Sequence, residues 1–77
     1  REYITEAFVQ PAAAAVGKTL AEAGLGPKRG IRVLEIVRDG VALPFDVKAT
    51  RLEAGDRLVL ACRPQGIAAA RGVEGID

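Results

Sequence analysis

A possible phosphate-binding motif lies at Gly17-Lys18-Thr19, directly after four alanines and a valine. In a phosphate-binding loop, glycines turn successive backbone amides toward phosphate oxygens, while the Lys and the Ser/Thr bind the terminal phosphates and magnesium. Alanine and valine do not freely adopt the positive-φ turns of such a loop, and 77 residues are too few for the fold that carries it. The sequence therefore indicates that Lys18 is an exposed residue at the start of a helix.

The side chains that usually perform acid–base or nucleophilic catalysis are scarce. The chain has no His and a single Cys, and no pair of acids is spaced for proton transfer. Asp39 and Asp56 each adjoin a glycine, which is typical of turns in which the carboxylate hydrogen-bonds to nearby backbone. Cys62 lies in an apolar run and is expected to be buried and unreactive. We expect no enzyme, no metal site and no cofactor.

Positive charge is concentrated at Lys28-Arg29-Gly30-Ile31-Arg32. Two interpretations remain open for this segment. It is a solvated loop, as most short charge runs are, or it is the rim of an anion site in which guanidinium groups grip phosphate or carboxylate through paired contacts. A net charge of +1 and only three aromatic residues argue against a nucleic-acid-binding surface.

The elements that would position these residues are short. Residues 3–9 roughly alternate up to Pro11, which predicts a first strand. Thr19 and Glu22 have the spacing of a capping box, in which the threonine hydroxyl accepts from one backbone amide and the glutamate reaches back to another. The short helix that begins there is expected to end at Gly24.

The second half of the chain predicts three more strands. Residues 31–38 carry apolar side chains on both faces, as expected for a central strand that is covered twice. Asp39-Gly40 favours a tight two-residue turn, so the chain should return antiparallel over residues 41–43. Pro44 then ends that return strand or confines it to the edge of the sheet. Residues 57–62 form another run with apolar side chains on both faces and predict a further strand.

A closing helix is predicted at residues 64–70, because Pro64 suits a first helical turn, and the tail at residues 72–77 is expected to be loose. The resulting order, β-α-β-β-β-α, predicts a small α+β domain whose mainly antiparallel sheet is covered by short helices. Hydrophobic residues make up 49% of the chain, and few of them are aromatic, so Val, Ile, Leu and Ala must build the core. A core this small suits a domain that completes its burial by dimerising.

Length and composition also bear on the origin of the chain. The sequence has 77 residues, enough for one domain, so we interpret residues 1–77 as a single unit. It contains no methionine, even at position 1, and this indicates a segment excised from a larger protein. No apolar run approaches the roughly 18 residues of a membrane helix. If the domain works at a membrane, its parent chain holds it there.

Taken in order, these segments resemble the C-terminal domain of the TrkA/RCK family, the regulators of potassium conductance. The family pattern is a strand, a Gly-Lys-Thr-Leu helix start, a Gly-hydrophobic-x-Val strand that ends in Arg-x-Gly, a Pro, and a Leu-x-x-Gly-Asp turn before a final apolar strand. The matching residues here are Val16-Gly17-Lys18-Thr19-Leu20, Gly30-Ile31-Arg32-Val33, Arg38-Asp39-Gly40, Pro44 and residues 52–58. The match covers nearly the whole chain in the right order.

The resemblance implies a domain that dimerises on the cytoplasmic side of channels and transporters, including potassium uptake systems, cation/proton antiporters and divalent anion/sodium symporters. Some relatives bind cyclic di-AMP in a cleft at the dimer interface, through residues that open the second strand and through the later proline. Carried onto this sequence, the implied ligand-binding residues are Arg29, Ile31, Arg32 and Pro44. Those relatives tend to offer His and Asn in this zone, where this chain has arginines. The implied ligand is therefore a small anion, such as a cyclic dinucleotide, whose identity stays open.

Two hypotheses follow for the function. In the first, the domain is a regulatory module: two copies associate, a small anionic ligand binds between them, and the change in dimer geometry biases an attached transporter or channel. In the second, the domain is a structural dimerisation unit that binds no ligand and organises the subunits of its parent. A nucleic-acid-binding module is a third, weaker alternative.

Overall fold

The computed structural model describes residues 1–73 and 75–77. Within those residues the chain forms a four-stranded antiparallel sheet of order β1-β4-β2-β3 and one α-helix. The strands are β1 (Tyr3–Phe8), β2 (Ile31–Arg38), β3 (Val41–Ala42) and β4 (Arg57–Cys62), and the helix is α1 (Pro64–Arg71). The predicted small α+β class is confirmed.

The predicted first helix is a single turn. Its capping box is present, since the Thr19 backbone amide donates to Glu22 Oε1 at 2.9 Å and the Glu22 amide donates to Thr19 Oγ1 at 3.3 Å. However, Gly24 adopts φ +78°, and the Leu25 amide closes the turn onto the Leu20 carbonyl at 2.9 Å. This left-handed ending comes so soon after the cap that no α-helix forms. The prediction of a helix between β1 and β2 was therefore wrong.

The turn between β2 and β3 follows its sequence signal. Asp39 has φ +52° and Gly40 has φ +79°, and positive φ at both central positions matches the twist of a two-residue hairpin. Beyond β3 the Leu43 amide still donates to the Ile36 carbonyl at 2.9 Å, and Pro44 follows outside the strand. The predicted antiparallel return is confirmed.

Only one face of the sheet is covered within the described residues. The core face presents Ile36, Leu58 and Leu60, each almost completely buried. On the opposite, outer face, Ile4 is 68% exposed and Phe8 is 41% exposed. The prediction that β2 is covered twice was wrong, because antiparallel sheets commonly bury one face and the short chain supplies one covering layer.

A bulge in β2 explains part of its misleading apolar pattern. The register against β4 shifts between Val33 and Glu35, which leaves Leu34 as the extra residue, 39% exposed. A bulge re-aims the side chains that follow it. As a result Ile31, Val33 and Ile36 all pair with core-facing positions of β4, even though their spacing in the sequence is irregular.

The end of the chain extends the sheet rather than hanging free. Val9 and Ile76 form an antiparallel bridge, Ile76 is 5% exposed, and the Gln10 amide donates to the Gly75 carbonyl at 2.9 Å. Residues 75–77 therefore depart from the predicted loose tail, because Ile76 completes the core beside β1. Glu74, which belonged to that prediction, lies outside the described residues. The described part of the chain contains no helix with the length and apolar character of a membrane span.

Candidate functional site

The positive segment folds as a tight turn that leads into β2. Pro27–Arg29 form one turn of 3₁₀-helix, and the Gly30 amide closes it onto the Pro27 carbonyl at 3.0 Å. Gly30 has φ +73°, a left-handed conformation that glycine adopts without strain, and it redirects the chain into the strand. Ile31 then enters the core at 1% exposure, while Arg32 is exposed on the outer face.

A cavity of about 270 Å³ lies beside this turn. Its apolar lining includes Leu20, Leu25 and Ile31, and the charged residues that line it are Arg32 and Lys48. Leu20 and Leu25 belong to the single capped turn, and Ile31 belongs to β2. An apolar lining with a few charged groups at its edge is the usual composition of a small-molecule site.

Lys48 was not anticipated from the sequence. It lies in a 3₁₀ turn, Val47–Ala49, whose N-cap is Asp46, and the Lys48 amide donates to Asp46 Oδ1 at 3.0 Å. Asp46 followed by a turn was the signal that could have located this segment, because aspartate favours such caps. No element was predicted between Pro44 and residue 52, so the cation at position 48 had no expected position.

Arg29 lines a neighbouring cavity of about 360 Å³ together with Gly24 and Lys28. The two cavities share Ala21, Gly26 and Pro27 as lining residues, so Arg29 stands next to the first cavity rather than on it.

Pro44 lies apart from both of these cavities. It is exposed, follows β3, and lines neither of them. Of the four residues implied by the resemblance, the structure thus brings Ile31 and Arg32 together, places Arg29 beside them and leaves Pro44 outside.

A third cavity, of about 220 Å³, opens at the same end of the sheet and shares Pro27, Ile31 and Arg32 with the first. Its other lining residues include Glu2 and Arg63. The Nη2 group of Arg32 donates to Glu2 Oε1 at 2.9 Å, and these two side chains are 62% and 48% exposed. Arg32 is therefore already paired with a carboxylate of its own chain.

The strongest electrostatic contact lies elsewhere, between Arg38 and Asp56. Arg38 donates through Nε and Nη2 to the two carboxylate oxygens of Asp56, each at 2.9 Å, and Asp56 is fully buried. These hydrogen bonds to Asp56 raise the pKa of Arg38 above its ordinary value. Asp56 also accepts from the Glu53 amide at 2.8 Å, as its predicted turn role requires. The pair holds the β2–β3 hairpin against the turn before β4 and takes no part in the cavities.

Sequence reasoning assigned Asp56 to a turn and missed its partner. Arg38 is two residues beyond Ile36 and so falls on the core face of β2. A guanidinium on a core face needs an acid, but the bulge changes the parity of β2, so the spacing of residues 31–38 did not reveal that Arg38 faces the core.

The segment Gly17-Lys18-Thr19 does not form a phosphate cradle. The Gly17 amide donates to the Leu52 carbonyl at 2.8 Å, and the Lys18 amide donates to the Ala15 carbonyl at 3.0 Å. The Thr19 amide is taken by Glu22. Backbone donors that would have to face a phosphate are therefore already satisfied, and Lys18 is exposed as predicted.

Other catalytic chemistry finds little support in the described residues. They contain no group of three His, Cys, Asp or Glu side chains that could hold a metal ion. Cys62 is a free thiol with no exposed surface, as predicted. The arrangement near Pro27 offers cations beside an apolar lining, a combination that suits a small anionic ligand.

The comparisons with known proteins agree with this architecture. The family model described as the TrkA-C domain matches residues 4–73, which is nearly the whole chain. No curated protein and no solved structure matches the sequence. The family consists of regulatory domains of transport-related proteins, and its matched range includes β2, β3, β4, α1 and all of β1 except Tyr3. This chain belongs to the TrkA-C domain family.

Proposed function

We propose that this domain is a ligand-sensing module on the cytoplasmic side of a membrane transporter or channel, and that it binds a small anionic ligand at the interface of a homodimer. The observation that carries the proposal is the cavity of about 270 Å³ whose lining combines the apolar Leu20, Leu25 and Ile31 with two cationic residues, Lys48 and Arg32. The Arg32 side chain extends from there to the outer face. Arg29 stands in the adjoining cavity and adds a third cation. Pro44 is assigned to the ligand site by the family resemblance alone.

The ligand class follows from this combination of surfaces. An apolar lining suits a flat ring or hydrocarbon group, and neighbouring guanidinium groups suit phosphate or carboxylate. A volume of about 270 Å³ is slightly smaller than typical drug-sized ligand pockets. In this proposal one copy supplies half of the site for a two-fold symmetric ligand such as a cyclic dinucleotide, and a two-fold related copy supplies the other half.

Regulation then requires that the ligand bind one dimer arrangement better than another. A ligand with equal affinity for both arrangements shifts neither population, however tightly it binds. The proposed output is a change in the relative position of the two copies, which an attached transporter would sense.

The first experiment is a thermal-shift screen with nucleotides, cyclic dinucleotides and small carboxylates, since a ligand selective for the native state raises its unfolding temperature. A hit is then titrated by calorimetry into the wild type, Arg32→Ala and Arg29→Ala. Each variant is expected to lose about tenfold or more in affinity, the usual cost of a charge-assisted hydrogen bond, with the fold intact.

Arg57→Ala is the matched control. Arg57 is also an outer-face arginine, its side chain is 59% exposed, and it lies within 3.8 Å of Glu6 rather than beside the cavities near Pro27. It should leave affinity unchanged. Equal affinity of Arg32→Ala, Arg29→Ala and the wild type would refute the assignment of the site.

A structural dimerisation domain is the alternative, and the uncovered outer face favours it. Ile4 and Phe8 remain exposed there although both are large and apolar, and exposed apolar surface of this kind marks interaction sites. Sedimentation at several protein concentrations, with and without the screened ligands, separates the two functions. A folded dimer that no ligand stabilises supports the structural role, whereas a monomer at high concentration contradicts both.

A further inference from the structure

Glu2 and Arg63 meet Arg32 at the end of the outer face, and neither has a role in the function proposed above. Tyr3 and Ile31 both pair with Cys62, on opposite sides of β4. Continuing that register by one residue places Glu2 on one side of Arg63 and the start of β2 on the other. The cavity of about 220 Å³ lies among these segments.

The charges around this cavity are two guanidinium groups and one carboxylate. The carboxylate of Glu2 is within 2.9 Å of Arg32, whereas Arg63 forms no salt bridge within the part of the chain described. If Glu2 turned away into solvent, two arginines would face the same open cavity without a carboxylate between them. Guanidinium forks in that arrangement match the oxygens of one phosphate group.

We propose that Glu2 is a built-in competitor that occupies Arg32 in the absence of ligand, and that Arg32 and Arg63 together bind a phosphate or phosphodiester group when Glu2 leaves. This inference rests on the proposed function, because it concerns the anion that Arg32 receives. It adds Arg63 to the site and gives the first residues of the domain a regulatory role.

The exchange is feasible because the Glu2–Arg32 pair is weak. Both side chains are about half exposed or more, and water and salt screen such pairs. The Glu2 carboxylate contacts one arginine, whereas an incoming phosphate would contact two. Removal of the competing carboxylate should tighten phosphate binding by about two- to fivefold, the range that an exposed ion pair commonly supplies.

The test is an NMR titration of the 77-residue chain with inorganic phosphate at low salt, which follows backbone amides near residues 30–32 and 63. The variants are Glu2→Gln, Arg32→Gln and Arg63→Gln. Glu6→Gln is the matched control, since Glu6 is also an exposed acid of the N-terminal segment and lies near Arg57 instead. It removes the same charge from the chain away from the cavity.

Tighter phosphate binding in Glu2→Gln but not in Glu6→Gln, with weaker binding in both arginine variants, supports the proposal. If phosphate binding depends on Arg32 but is equally tight in Glu2→Gln and Glu6→Gln, the competitor role of Glu2 is refuted. The proposed function is unaffected by that result. Unchanged binding in Arg63→Gln overturns the two-arginine site. If phosphate binds neither the wild type nor any variant, the inference is refuted. The ligand screen described above then decides separately whether the proposed function fails as well.

Discussion

Arg38 and Asp56 form a buried ion pair whose two halves should respond unequally to substitution. Asp56 has no exposed side-chain surface, whereas the Arg38 side chain is 23% exposed and has a second acid, Glu53, at 2.9 Å from Nη1. Arg38→Met leaves the carboxylate buried without its cation. Asp56→Asn leaves a guanidinium that still contacts Glu53 and water. Loss of the arginine is therefore the more damaging change.

The magnitudes follow from burial. Removal of one partner from a buried pair costs about 3–5 kcal/mol of unfolding free energy, and Arg38→Met should fall at the upper end of that range. Asp56→Asn keeps an acceptor for the Glu53 amide and strands no buried charge, so about 2 kcal/mol is expected. A domain of this size has about 4–12 kcal/mol in all, at 0.05–0.15 kcal/mol per residue, so Arg38→Met should lie near the threshold of unfolding.

Urea denaturation at neutral pH, followed by circular dichroism, measures both variants against the wild type. Arg57→Met is the control, because that arginine is 59% exposed and its closest carboxylate is 3.8 Å away. It should change the free energy of unfolding by less than about 0.5 kcal/mol. The reasoning fails if Asp56→Asn destabilises more than Arg38→Met, or if both cost no more than Arg57→Met.

Three further predictions concern close packing and the Thr19–Glu22 capping box. Gly66→Ala should lower the free energy of unfolding by about 1–3 kcal/mol, because its Cβ would lie 2.5 Å from the Gly30 carbonyl oxygen. Gly26→Ala, which has open space around it, should be tolerated in the same thermal unfolding experiment. Gly75→Ala should also lower the unfolding temperature, since φ is +82° and the new Cβ would lie 2.5 Å from Ala13. The Thr19 amide and hydroxyl lower the pKa of Glu22, so its contribution to stability is present above its ordinary pKa of 4.5 and is lost as pH falls below it. Carboxyl NMR titration checks the direction of the pKa shift, and the difference in stability between the wild type and Glu22→Gln, followed against pH, checks that sign.

The strands were predictable because several local signals agreed. Residues 31–38 and 57–62 coincide with β2 and β4, and Asp39-Gly40 forms the expected turn. In each case the apolar pattern, the breaker residues and the turn residues indicated the same strand boundary. A strand can be predicted from the sequence when such independent signals agree.

Most of the failures share one physical origin, which is that local patterns do not reveal which segment packs or pairs opposite a residue. Thr19 and Glu22 form their capping box, yet the left-handed Gly24 ends the segment within a turn. Leu34 looked like a second buried face, but the bulge in β2 turns it toward solvent. Arg38 was indistinguishable from a surface residue until β4 brought Asp56 beside it. Pairings between distant segments decided all but the first of these outcomes.

Only part of the candidate site could be predicted from the sequence, for the same reason. Ile31 and Arg32 are neighbours in the chain, but they point to opposite faces of β2, one into the core and one outward. Lys48 lies between β3 and β4, Arg63 lies between β4 and α1, and Glu2 precedes β1, so no spacing rule joins them to Arg32. A site built from one strand end and several loops is visible only after the sheet order is known.

The position of Arg32 also links the two halves of the proposed function. It stands on the outer face, at one end of the surface where Ile4 and Phe8 are exposed. If the proposed homodimer forms through that face, Arg32 and Glu2 lie at its margin, and an anion that displaces Glu2 changes the charge which the partner meets. Displacement of one exposed carboxylate supplies a fold-change of only a few. A two-state shift from 1:99 to 99:1 needs about 10⁴-fold differential affinity, so most of the coupling would have to come from direct contacts between ligand and partner rather than from Glu2 alone.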